Sequence, residues 1–207
     1  MAWPHVFATL PAGNVPASYL DDNFNAAVLG GASSTDGYLM QFSGTSGKAV
    51  KTGGLAPSSL GGQIQSTVSG ASSTGTTIMP SDDTIPQITE GDQYLTVSIT
   101  PTNASSTLQI TVSFNFAVAS PDIVTVAVFR DSGANAIGVG ASFSSDALFL
   151  QCCSYSFTIS AASTAATTFK VRAGPNTANT LTFNGQAGTR RYGGNYSSSI
   201  VVREILP

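Results

Sequence analysis

The chain has 207 residues, a net charge of −3 and only 9% charged residues, against roughly 25% in an average globular protein. Its few Lys and Arg are scattered, with Arg190–Arg191 as the sole adjacent basic pair, so no basic face for nucleic acid is expected. No apolar run is long enough to span a bilayer, and the opening MAWPHVFATLPAG lacks the basic start and long apolar core of a secretory signal. Assembly in a cytosol, without membrane insertion, is the expectation.

Hydrophobic residues make up 42% of the chain, too many for disorder throughout. Serine and threonine take the place of charges. That composition suits pleated sheet and a chain that buries surface against copies of itself.

Residues 1–29 are aromatic and compact, with Trp3, Phe7, Tyr19, Leu20 and Phe24 set among Pro4, Pro11 and Pro16. The prolines exclude a long helix before residue 17. SYLDDNFNAAVLG predicts a short helix with Ser18 as N-cap and Gly30 as its stop. So short a segment cannot bury its own aromatics and needs a partner surface. Residues 30–77 are rich in Gly, Ser and Thr, and two readings stand. One is a flexible linker. The other, preferred here, is a thin shaft in which Tyr38, Leu39, Met40, Phe42, Val50, Leu55, Leu60, Ile64 and Val68 are buried as three chains wind together.

Residues 78–207 read as a β domain. Leu95, Val97 and Ile99 alternate with polar residues, as do Leu108 through Val118, and Val124, Val126 and Val128. Further alternating sets are Leu148, Leu150 and Cys152; Tyr155, Phe157 and Ile159; Phe169 and Val171; Leu181 and Phe183; and Ile200 and Val202. Period-two alternation marks strands with one buried face. Turn residues fill the gaps, as in Pro101–Asn103, Asp131–Gly133 and Gly174–Asn176. Eight or so strands of this kind predict an all-β fold, an antiparallel sandwich of jelly-roll type. DIVTVAVFR and SSIVVREI carry apolar residues on both faces, as in a sheet interior or a subunit interface. A last strand close to a threefold axis is expected.

The chemistry-bearing residues do not assemble into a reaction. His5 is the only histidine, and it lies far from any nucleophile. No GxSxG elbow, phosphate loop or calcium loop occurs. Asp21–Asp22 and Asp82–Asp83 are adjacent pairs suited to capping and turns, not to facing each other across a sugar. Cys152 and Cys153 are neighbours whose Cα atoms lie about 3.8 Å apart, short of the usual disulfide span of about 4.4–6.8 Å. They are expected as free thiols on opposite faces of a strand. No enzyme activity, cofactor or metal is expected. Recognition chemistry concentrates in NGQAGTRRYGGNYSSS, residues 184–199. Arg190, Arg191, Tyr192, Asn195 and Tyr196 there are residue types favoured at binding surfaces. The loops at 130–146 and 173–179 are further contact candidates.

The stretch DDTIPQITEGDQYLTVSITPTNASSTLQITV (82–112) resembles the start of a C-terminal domain found in bacteriophage fibre and other virion proteins. The resemblance runs on through VTVAVFRDSGANAIG, TTFKVRAG, TLTFNG and RRYGGNYSSSIVVREI. It implies a trimeric sandwich of the tumour-necrosis-factor or C1q type. PAGNVPASYLDDNFNAA (11–27) is similar to the segment by which fibre proteins attach to a virion. The implied organisation is a virion anchor at 1–29, a shaft or linker at 30–77 and a head at 78–207. The implied role is that of a structural virion component of a tailed phage: a homotrimeric tail fibre or spike whose head meets a host surface glycan or protein. A capsid-bound head fibre or decoration protein is the alternative. The implied partners are two further copies of the chain and another virion protein gripped by residues 1–29.

Overall fold

The computed structural model describes residues 62–207, together with the backbone of two short strands, β1 (Gln41–Ser43) and β2 (Ala49–Lys51). These two strands pair antiparallel, with Phe42 opposite Val50, and belong to a unit separate from the rest. Trp3, Phe7, Tyr19, Leu20 and Phe24, expected to form a virion anchor, lie outside the described residues.

The second unit is a sandwich of antiparallel strands. In chain order these are β3 (Ile64–Ser69), β4 (Ser73–Gly75), β5 (Asp92–Ile99), β6 (Thr107–Val118), β7 (Asp122–Arg130) and β8 (Gly138–Ser144). There follow β9 (Gln151–Ser160), β10 (Thr167–Pro175), β11 (Leu181–Phe183), β12 (Gly185–Gln186), β13 (Thr189–Arg190) and β14 (Ser198–Ile205). One sheet has the order β5-β10-β7-β8. In the other, β6 pairs with β9 along one edge. Along its other edge it pairs with β14 at residues 107–113 and with β11 at residues 116–118. β11 and β14 are therefore one sheet position interrupted by an excursion, and β4 and β3 lie outside them in the same way. From β3 to β14 the chain passes back and forth between the two sheets, and this strand order is a jelly roll.

Sequence alternation explains the core. Leu95, Val97, Leu108, Ile110, Val112, Val124, Val126, Phe169, Val171, Ile200 and Val202 form one buried cluster between the sheets. Fully burying each such side chain is worth about 1.5–3 kcal/mol. At its centre Phe114 contacts Tyr94, Phe116 and Phe183, with ring centroids 5.3, 6.1 and 5.1 Å away. The outer face of β7 is covered as well: Met79 packs on Ala127 and Phe129, with Ile88 and Ala136 beside them. That accounts for the two-sided apolar pattern of DIVTVAVFR. On β14 only alternate residues from Ser198 to Glu204 are buried within one chain, so its second apolar face is not buried in a sheet interior.

Three other expectations change. Residues 64–75 are not shaft: β3 pairs with β14 and β4 with β11, so the sandwich extends N-terminally past residue 78. Leu148, Leu150 and Cys152 do not share a strand face. Residues 145–150 form a turn with Leu148 at φ +61°. On β9 it is Cys153 that points inward, with Tyr155, Phe157 and Ile159, while Cys152 is exposed and both thiols are free. The stretch 130–146 is not one loop, because it contains β8. β8 escapes sequence reading because its inward positions are Gly138 and Gly140. Side chains there would lie 2.4 Å from the rings of Phe157 and Tyr155, which occupy that space instead.

Two buried carboxylates hold the loops at the sandwich ends. Asp122 accepts hydrogen bonds from the Thr177 backbone N–H (3.1 Å) and hydroxyl (2.8 Å), fixing the turn after β10. Glu204, 1% exposed, accepts from Thr102 N (2.8 Å), Thr102 Oγ1 (2.9 Å) and Asn103 N (3.2 Å). Burial pushes its carboxyl up, but the nearby Ser106 hydroxyl and the Thr102 and Asn103 donors outweigh it, leaving it below the ordinary value. Ser106 Oγ favours the charge by proximity, since no well-formed hydrogen bond joins it to Glu204 Oε2. A depressed folded-state pKa contributes stability that is present above the unfolded value and lost as pH falls through the folded one. Urea denaturation from about pH 5 to pH 3 should therefore show a steep loss of stability. Glu204→Gln should be less stable at pH 7 and should lose less on acidification. An identical pH slope in the two proteins would refute the role of Glu204.

Candidate functional site

The excursion between β11 and β14 is the loop singled out by its arginines and tyrosines. Its base is a buried polar junction. Asn184 sits at φ +52°, a left-handed conformation that Asn tolerates better than most residues. Its amide donates to Ser69 O (2.6 Å) and Ala71 O (3.1 Å). Ser198 Oγ donates to Asn184 Oδ1 (2.6 Å) and accepts from Asn115 N (2.8 Å). Asn115 Nδ2 in turn donates to Ser197 O (2.6 Å). The two ends of the excursion are thus joined to each other and to β6.

Above the base, β12 and β13 form a small hairpin with Gly185 opposite Arg190. A 3-10 turn, Tyr192–Gly194, follows. Gln186 Nε2 donates to Leu148 O, and Gln186 Oε1 accepts from Arg191 Nε (3.0 Å) and Nη2 (2.7 Å). Tyr196 OH donates to Gln151 O (2.7 Å). Burial pushes the Tyr196 hydroxyl up to about 12, with Cys152 and Tyr192 adding to it, so it stays a protonated donor at neutral pH. Tyr192 packs edge-on against Tyr196, with centroids 6.1 Å apart, yet is 70% exposed.

The five nominated residues therefore divide. Arg191 and Tyr196 are partly buried, Arg191 held by Gln186 and Tyr196 by Gln151 O at the start of β9, while Arg190, Tyr192 and Asn195 are exposed. Tyr192 (φ +49°), Gly193 (φ +64°) and Gly194 (φ +97°) keep the chain left-handed at the tip, a conformation unusual for an aromatic residue. Sequence reasoning missed Asn184, Gln186 and Phe149. The Asn184–Gly185 dipeptide is a recognised turn signal and pointed to the first. Phe149, 56% exposed, lay in a stretch read as strand.

A second surface is the outer face of the sheet containing β6. Register places Thr107, Gln109, Thr111, Ser113 and Asn115 of β6 in line with Ser199, Val201, Arg203 and Ile205 of β14 and with Ser154, Ser156, Thr158 and Ser160 of β9. Ile64, Ser66 and Val68 of β3 continue it. Among the described residues Arg203 is its one charged side chain. Ile64 and Val68 are 60% and 65% exposed. Among the described residues no group of three or more His, Cys, Asp or Glu is placed to hold a metal ion.

No family model matches the chain, and no curated protein matches it in sequence. Solved structures with related folds include the Eiger TNF of S. frugiperda, at 10% identity over 70% of this chain and 94% of that one, with a TM-score of 0.41. They also include infectious bursal disease virus, Gx strain (10% identity, TM-score 0.33), and the VP2 subviral particle of that virus (12%, TM-score 0.29). The chain spans 42% of the length of each of these two viral proteins. At these scores the likeness adds nothing to the jelly roll that the strand order itself defines.

Proposed function

We propose that the chain is a structural component of a tailed-phage virion: a homotrimeric tail fibre or spike, anchored by residues 1–29, whose sandwich is the distal head that contacts the host. The observation that carries this reading is the outer face of the β3-β14-β6-β9 sheet. A face of hydroxyls, amides and a few exposed apolar side chains, with one charge, is cheap to desolvate against copies of itself. Isolated charges left at such a contact would cost far more. With that face turned to an axis, the arginine and tyrosine loop is repeated around the head. Weak individual contacts then add through multivalency.

Light scattering on the full chain should give three times its 21.1 kDa mass. Thr111→Glu, at an exposed position in the middle of the face, should bring like charges together and yield a folded monomer. A wild-type monomer would sink the trimer. Imaging intact particles then separates tail from capsid. Density at the tail tip supports host contact, whereas density on the capsid supports the head-fibre or decoration alternative.

A further inference from the structure

We propose that residues 148–151 and the excursion packed on them form a binding site for an acidic saccharide, the glycan carboxylate lying on Arg191 and a sugar face on Tyr192. This names the ligand class of the host-contact loop and rests on that reading for its biological setting only.

Three observations carry it. The first is an uncompensated charge. Arg191 is held by two hydrogen bonds to a neutral amide oxygen, Gln186 Oε1, and Gln186 is itself tied to Leu148 O. Among the described residues the one ion pair is Arg130–Asp131, at 3.8 Å, and residues 184–199 contain no carboxylate at all. On a chain of net charge −3, this loop is a local concentration of positive charge. A guanidinium has five donors in a fixed fork that matches a carboxylate, and among the described residues Gln186 engages only Nε and Nη2 of Arg191. The second is convergence. Gln186 reaches the turn at Leu148 and Tyr196 reaches it at Gln151. The excursion that carries Arg191 and the Tyr192–Tyr196 pair is therefore tied to both ends of the stretch that carries exposed Phe149. The third is chemical balance. Exposed aromatic faces accept the C–H side of a sugar ring, while guanidinium and amide groups meet its oxygens.

The test is titration of the full chain with tetragalacturonate and, as the neutral control, maltotetraose. Tetragalacturonate should bind at least about tenfold more tightly, and its binding should weaken as salt is raised. Arg191→Ala and Tyr192→Ala should each reduce affinity about tenfold or more. Tyr192→Ala alters an exposed side chain, so it remains informative if Arg191→Ala perturbs the loop. Equal binding of the two sugars, no binding of either, or full affinity in Tyr192→Ala would each overturn the site. Host-cell binding is measured alongside. Cell binding that survives both substitutions and resists tetragalacturonate competition removes this site and leaves the host-contact reading standing. Tetragalacturonate binding without cell binding does the reverse.

Discussion

Phe114→Ala is expected to lower the stability of the sandwich by about 3–5 kcal/mol, the range for truncating a buried phenylalanine. Phe114 has no exposed surface and touches Tyr94, Phe116 and Phe183 at once. The cavity left behind would be walled by rings fixed on β5, β6 and β11, and neighbours held on paired strands cannot collapse into it. The loss also removes edge-to-face and tilted ring contacts, each worth about 0.5–1.5 kcal/mol beyond area. Phe143 supplies the control. It is 62% exposed, and Phe143→Ala should change stability by no more than about 0.5 kcal/mol. Urea midpoints for the two variants, at one protein concentration, decide the matter. Equal midpoints would mean that the aromatic centre is not where stability resides.

Asn184→Ala is the second large effect, of about 2–4 kcal/mol, because it removes three hydrogen bonds at once, one of them fully buried. Ser69 O and Ala71 O lose their donor, and Ser198 Oγ loses its acceptor. Alanine is also disfavoured at φ +52°. Asn184→Gly separates the two causes, since glycine adopts that backbone freely but makes no side-chain bond. Both variants should be destabilised, alanine more so. Limited proteolysis should then cut within residues 185–197 much faster than in the parent. A glycine variant as stable as the parent would reduce the junction to a backbone requirement.

Much of the jelly roll was legible because inward positions on β5, β6, β7 and β10 are almost uniformly Val, Leu, Ile or Phe. The strands that hid did so for physical reasons. β8 turns glycines inward, since Phe157 and Tyr155 reach across to fill the layer, and its large side chains Val139 and Phe143 point out. β3 turns Gln65 and Thr67 inward at the open side of the sandwich. There Thr67 Oγ1 donates to Thr96 O at 2.6 Å, joining the two sheets by a polar stitch instead of an apolar one. At the site, residue types drew attention to the right loop. Which of two adjacent arginines is held and which is free depends on Gln186 and on a turn some forty residues earlier, and no local pattern encodes that.

The pairing of β3 with β14 has a consequence for synthesis. β3 is the first strand of the sandwich to leave the ribosome, and its partner is the last. Until Ile205 emerges, one long edge of β6 stays open and β3 has no neighbour in its sheet. Such non-local closure makes folding slow and leaves strand edges available for wrong pairing meanwhile. The nascent chain is therefore at risk until β14 has emerged, and a truncation removing β14 alone should yield aggregate instead of a smaller sandwich.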